Sequence, residues 1–173
     1  MQLDFTNLFN SSNEIINVDY VFCDDEFLYG TYNPLKNGAV VKGKAYQKVG
    51  IVYLDLEVDF DFYGSCDRCA DDIEKHFSFT LNKIIVQKME NENDDYDNYI
   101  VVENNSLDLD ELVSEEIQLF LPAKMLCKED CRGLCQKCGK NLNYEKCECA
   151  KEIDPRLAAL SDLLIDEYTN LFL

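Results

Sequence analysis

Eight of the nine cysteines in this 173-residue chain fall into four close pairs: Cys66/Cys69, Cys127/Cys131, Cys135/Cys138 and Cys147/Cys149. Two such pairs can offer four thiolates to one tetrahedral Zn2+, since each tight turn aims two sulfurs at one point. In CQKCG, the glycine after Cys138 lets the backbone bend so that its N–H groups reach the sulfurs. One C-x2-C alone is weak evidence. Four pairs in a chain with a single histidine point to zinc, one or two ions per chain, with all eight paired cysteines as ligands. Two groupings are compatible with the spacing. In one, Cys135, Cys138, Cys147 and Cys149 share an ion, and Cys127 and Cys131 join Cys66 and Cys69. In the other, the C-terminal cysteines build a single ribbon-like site and Cys66 and Cys69 stay free.

Other chemistries find less support. A redox dithiol wants a depressed thiolate pKa beside positive charge, yet in CDRCADD Arg68 is opposed by Asp67, Asp71 and Asp72. A thiol-based redox sensor is therefore an alternative rather than the leading reading. Cys23 has no sequence partner and is expected to be a small buried hydrophobe. His76 is the single histidine, and closed four-thiolate sites leave no position for an activated water. With no phosphate loop or nucleophile motif, the chain is not expected to be an enzyme.

The elements that must position these thiols are legible in part. Residues 51–62, IVYLDLEVDFDF, alternate with Leu54, Leu56, Val58, Phe60 and Phe62 on one face and carboxylates on the other, the period of a half-buried strand. Folding the preceding lysine-bearing segment back over Val49-Gly50 sets Lys44 opposite Asp55 and Lys42 opposite Glu57, so the acidic face is read as cross-strand paired rather than as a cation site. Cys66 and Cys69 then lie in the connection to a strand carrying Phe77, Phe79 and Leu81. MENENDDYDN is expected to be a solvated acidic loop and YIVVE a short strand. Asp108 with Glu111 makes a D-x-x-E box that starts an amphipathic helix, with Leu107 stapled onto Leu112, and Pro122 stops it. A second helix is predicted from Asp154-Pro155, with the stripe Leu157, Leu160, Leu164, Tyr168 and Leu171.

The fold class expected is α+β. An antiparallel sheet or partial barrel fills the first ~100 residues, followed by one amphipathic helix, a cysteine-rich zinc-knuckle segment and a C-terminal helix. Residues 1–122 are read as the β-rich domain and 123–173 as the zinc-binding segment with its helix, packed on the first part. The longest apolar runs fall far short of a membrane span, and the N-terminus lacks the charge and apolar core of a secretory signal. A cytoplasmic location is expected.

The order of motifs also carries a resemblance. C-x-x-C after an alternating strand is followed by LDLDELVSEEI and LP, then LCKEDCRGLCQKCGKNLN with C-x-C, and finally DPRLAAL. This resembles the YceD family of bacterial and plastid proteins, named for accumulation of the large-subunit (23S) ribosomal RNA, and the likeness runs from Cys66 to Leu160. It implies a non-catalytic factor in large-subunit ribosome biogenesis. The matching positions are the eight paired cysteines with Gly133, Leu134, Gly139, Asn141, Leu142, Asp154, Pro155 and Arg156. Members of the family differ in how many cysteines they keep, which implies a structural role for the metal.

Charge narrows the partners. The formal net charge is −18, so extensive contact with phosphate backbones is disfavoured. A basic ribosomal protein, an assembly factor or a pre-large-subunit particle is the better match. Direct RNA contact, as in a zinc-ribbon RNA-binding module, would fall to Lys128, Arg132, Lys137, Lys140 and Lys146, the densest positive cluster in the chain.

Overall fold

The computed structural model describes residues 1–10, 14–88 and 98–149. The expected C-terminal helix and nearly all of the acidic loop lie outside the described residues. The chain divides into two compact units, Met1–Cys131 and Arg132–Leu173.

The first unit runs, in order, through β1 (Gln2–Asp4), α1 (Thr6–Asn10), β2 (Ile15–Phe22), β3 (Ala39–Lys48), β4 (Ile51–Ser65), β5 (Asp72–Val86), β6 (Tyr99–Val101), β7 (Ser106–Asp108) and α2 (Leu109–Phe120). Strands β2-β3-β4-β5-β6 form one five-stranded sheet, and β1 pairs with β7 in a two-stranded one. The class is α+β, as the patterning predicts. The sheet is mixed rather than wholly antiparallel, because β6 pairs parallel with β5. Side-chain alternation reports which face a strand buries but not its direction, so the parallel pairing left no trace in the pattern. Among the described residues no pairing joins β2 to β6.

The β3–β4 hairpin forms in the expected register, with Lys42 across from Glu57 and Lys44 across from Asp55. Each pair is worth a few tenths of a kcal/mol. The larger driving force lies on the other face, where Val52, Leu54, Leu56, Val58, Phe60 and Phe62 are all buried in the core. Val49 and Gly50 close the hairpin with φ of +54° and +79°, the positive values a type I′ turn requires. A β-branched residue is strained there, and Val49 is 90% exposed, so its side chain contributes almost no packing. Val49→Asn is expected to stabilise the protein by about 0.5–1 kcal/mol. Urea unfolding measures it, and a loss of stability would refute the strain argument.

Helix α2 starts where the D-x-x-E box places it. The Asp108 carboxylate accepts from the Asp110 N–H at 3.0 Å. That backbone N–H donor holds the Asp108 carboxyl below its usual value, with a smaller contribution from the N–H of Glu111. Leu109, Leu112, Val113 and Ile117 are buried in the same cluster as the sheet's inner face, with Leu107 at its margin. Toward the C-terminal end, Phe120 stacks on Phe79 of β5 at 4.6 Å, and Glu116 pairs with Lys83 at 2.7 Å. The helix ends at Phe120, with Leu121 as its extended C-cap before Pro122. Asp108→Ala is expected to cost about 1 kcal/mol at neutral pH. Because the folded pKa is lowered, the cap's contribution is complete above the unfolded carboxylate value of about 3.9 and is lost as the pH falls through the lower folded value. Asp108→Asn keeps the cap and removes that acid dependence, which stability measured between neutral pH and pH ~3 would reveal.

One expectation is overturned. Cys23 is exposed, not buried. Phe22 at the end of β2 points into the core, so the next residue in the extended chain faces the opposite way.

Candidate metal centre

Cys66 and Cys69 lie in the turn that joins β4 to β5. The Cys66 N–H donates to the Asp71 carbonyl at 2.8 Å, and the Ala70 N–H donates back to the Cys66 carbonyl at 2.9 Å. Ala70 takes φ +59° to close this turn. The second unit repeats the device at Cys135–Gly139. There the Cys135 N–H donates to the Lys140 carbonyl at 2.8 Å and the Gly139 N–H to the Cys135 carbonyl at 2.9 Å, with Gly139 at φ +72°. The two C-x-x-C turns are thus the same knuckle, one closed by glycine and the other by alanine in a conformation glycine adopts more readily.

The pairings left open by the spacing resolve into two sulfur tetrads. Cys66, Cys69, Cys127 and Cys131 form one group and Cys135, Cys138, Cys147 and Cys149 the other, with the donor sulfurs of each group within 4.8 Å of one another. The first lies entirely within the first unit and the second entirely within the second. Sulfur separations are 3.8 Å for Cys66–Cys131, 3.6 Å for Cys69–Cys127 and 3.3 Å for Cys135–Cys147. A tetrahedron with Zn–S near 2.3 Å has edges of about 3.8 Å, which the two separations in the first tetrad match and the Cys135–Cys147 separation falls short of. No disulfide joins any of the nine cysteines, all of which lie among the described residues.

Electrostatics favour a cation in both tetrads. Burial raises the Cys66 thiol, but N–H donors from Cys127, Arg68 and Cys69 outweigh it and bring the pKa to about 6. Backbone N–H groups of Cys138 and Lys137 likewise bring Cys135 to about 6. The neighbours move the other way. Burial and the adjoining sulfurs push Cys69 and Cys127 up, and Cys138 and Cys147 push Cys149 up to about 12. Cys66 and Cys135 are therefore the thiols that ionise near neutral pH, whereas Cys69, Cys127, Cys147 and Cys149 resist. Four thiolates at this spacing need a positive ion between them.

The tetrads differ in surroundings. Cys66, Cys69 and Cys131 are buried in the hydrophobic core. Around them, the Asp67 N–H donates to the Met125 carbonyl at 2.9 Å, and Asp67 Oδ2 accepts from the Met125 N–H at 2.6 Å. Arg68 Nη1 donates to the Cys131 carbonyl at 3.0 Å, and Lys75 Nζ to the Leu126 carbonyl at 2.7 Å. In the sequence, Asp67 and Arg68 stand out only as charges beside the thiols. Their backbone-clamping role depends on a segment 58 residues away, for which the local sequence carries no signal. In the second unit Cys138 and Cys149 are exposed. That knuckle is held by a bridge between Leu134 and Asn141, by the Leu142 N–H on the Gly133 carbonyl at 2.9 Å, and by the Arg132 N–H on Asn143 Oδ1 at 2.9 Å.

His76 belongs to neither tetrad, while Lys137 lends its backbone N–H to Cys135 and Lys140 acts electrostatically on Cys138 and Cys147. His76 sits within β5 at the surface, its Nδ1 2.9 Å from Asp61 Oδ1. Lys128, Arg132, Lys137, Lys140 and Lys146 are all exposed, Lys128 in the first unit and the other four in the second. Lys140 pairs with Glu145 at 3.1 Å and Lys128 with Asp130 at 3.9 Å.

Residues 54–164, a span that contains both tetrads and more than half of the chain, match the family model described as large ribosomal RNA subunit accumulation protein YceD. The chain belongs to the YceD family. Among its relatives, Bacillus subtilis YlbN is 31% identical over 126 residues, covering 72% of this chain and 73% of that protein. Mycobacterium leprae ML1660 is 30% identical over 104 residues, 57% of this chain and 46% of that one. The chain thus spans about half the length of the mycobacterial proteins it matches. A chloroplast protein of Arabidopsis thaliana, the large ribosomal RNA subunit accumulation protein YCED homolog 1, is 34% identical over 50 residues, 29% of this chain and 16% of that protein. No solved structure matches this YceD-family chain. Among the described residues, no helix is long and apolar enough to cross a membrane.

Proposed function

We propose that this chain is a non-catalytic factor in large ribosomal subunit biogenesis that supports accumulation of 23S ribosomal RNA in the cytoplasm. In this reading it carries two structural Zn2+ ions and acts by binding a basic protein partner, a ribosomal protein or assembly factor on the pre-large-subunit particle. The observation that carries the reading is membership in a family described by large ribosomal RNA subunit accumulation. The closed four-sulfur groups support structural zinc, since each supplies a complete tetrahedral donor set from the protein. The net charge of −18 supports a basic partner over bare RNA.

The test is a tagged full-length chain recovered from lysate across a ribosome gradient at moderate salt. The expected result is co-migration with immature large subunits, with 23S precursor present and loss of 23S RNA on depletion. Protein confined to the free fractions, with ribosomal RNA unchanged on depletion, overturns the proposal.

A second reading, direct RNA binding through Lys128, Arg132, Lys137, Lys140 and Lys146, has the exposure of all five in its favour. Two of them already face carboxylates, which weakens it. A purified chain that fails to shift ribosomal RNA fragments at low salt disposes of it.

A further inference from the structure

Strand β5 spans Asp72–Val86, but β6 pairs with it only at Ile84–Val86. On the side away from β4, the rest of β5 has no strand partner among the described residues. The β4–β5 register is unbroken from Val52↔Ile85 to Ser65↔Asp72, so the direction of each backbone group follows from parity. Two hydrogen bonds fix that parity. Asp71 accepts from Cys66, so odd positions bond toward β4, and Val86 accepts from Val102, so even positions bond toward the open edge. Glu74, His76, Ser78, Thr80 and Asn82 therefore aim both N–H and C=O outward, and all five residues are exposed.

The two flanks of this edge differ in chemistry. On the inner side Phe77 and Phe79 are half-buried against Phe120, with centroids at 6.0 and 4.6 Å, and Phe120 is 43% exposed. On the outer side Glu74 lies on the edge strand itself, with Asp61 behind His76 and 2.9 Å from its Nδ1, and Asp59 behind Ser78. A strand added here would rest alternate side chains on aromatic rings and turn the others toward carboxylates.

We propose that the free edge of β5 is a docking site for an extended protein segment that alternates apolar and basic residues, added to the sheet as a further strand. The proposal rests on the reading that this chain works by holding a basic protein partner, and it names where and in what conformation the partner is held. An unpaired edge recognises an extended backbone, the aromatic flank selects apolar side chains at every second position, and the carboxylates select basic ones between them.

The test uses the full-length zinc-loaded chain and a peptide of about ten residues alternating valine and lysine. A control of the same composition has its valines contiguous. In the free protein the amides of His76, Ser78, Thr80 and Asn82 are expected to exchange fast and those of Phe77, Phe79 and Leu81 slowly. The alternating peptide should slow the even set on the order of tenfold or more, and the control should not. Thr80→Pro removes only an edge-facing N–H, so it should keep the fold and the zinc content while weakening peptide binding on the order of tenfold. Retained binding by Thr80→Pro overturns the proposal. So does protection of the even amides in the free monomer, which would mean the chain covers its own edge, or in a self-associated dimer, which would mean a second copy does. On the ribosome gradient, co-migration of both wild type and Thr80→Pro rejects the edge while leaving the assembly-factor reading intact. Peptide binding without co-migration of the wild type does the reverse.

Discussion

Cys66→Ser is expected to lower the zinc content from two ions per chain to one and to destabilise the first unit by more than about 3 kcal/mol. Cys66 is 3% exposed, and its sulfur accepts the Cys127 N–H at 3.3 Å besides facing Cys131. Its loss would leave Cys69, Cys127 and Cys131 without a complete four-sulfur set and free the Cys127–Cys131 segment from the β4–β5 turn. Cys135→Ser should also release one ion, but the unfolding of the first unit should be unchanged, because the second tetrad belongs to the other unit. Metal content by mass spectrometry and urea unfolding read both variants. Two ions retained by Cys66→Ser would sink the proposed zinc site in the first tetrad.

Phe62→Ala is expected to cost about 3–5 kcal/mol. Phe62 is fully buried, meeting Tyr29 edge-on at 5.2 Å and lying near Tyr32 at 6.4 Å and Phe77 at 6.3 Å. Each edge-to-face contact adds to the area the ring buries. The residue also stands on the segment of β4 that leads into the first knuckle, so zinc should be lost at a lower chelator concentration in this variant. A loss under about 1 kcal/mol would mean that the neighbouring aromatic rings close the gap, and that the knuckle does not depend on Phe62.

What the sequence disclosed follows the strength of its local signals. The β3–β4 hairpin was legible to the residue pair, since clean alternation on both sides of Val49-Gly50 admits one register that buries Leu54, Leu56 and Val58. Helix α2 was legible because Asp108 and Pro122 bracket its apolar stripe. The pairing of β1 with β7 was not, because three-residue strands show no period and their pairing joins Leu3 to Leu107 across the length of the first unit. All eight thiols were visible by type and spacing. Which four converge was not decided by spacing, because it depends on the knuckle turn and the segment after α2 being brought together in space. Cys23 is exposed against the tendency of its residue type because it follows Phe22, the last inward-facing residue of β2.

The two tetrads also differ in when they can form. Cys66 and Cys131 are 65 residues apart in sequence, whereas Cys135 and Cys147 are 12 apart. Closing the longer span requires β4, β5 and α2 to be in place first, so it costs more chain entropy and depends on long-range contacts that form slowly. The proposed zinc in the second unit can therefore be captured as soon as that short segment leaves the ribosome. Zinc in the first unit must wait until its sheet and helix have assembled. Metal uptake during refolding should then proceed in two phases, with the slow one reporting completion of the first unit.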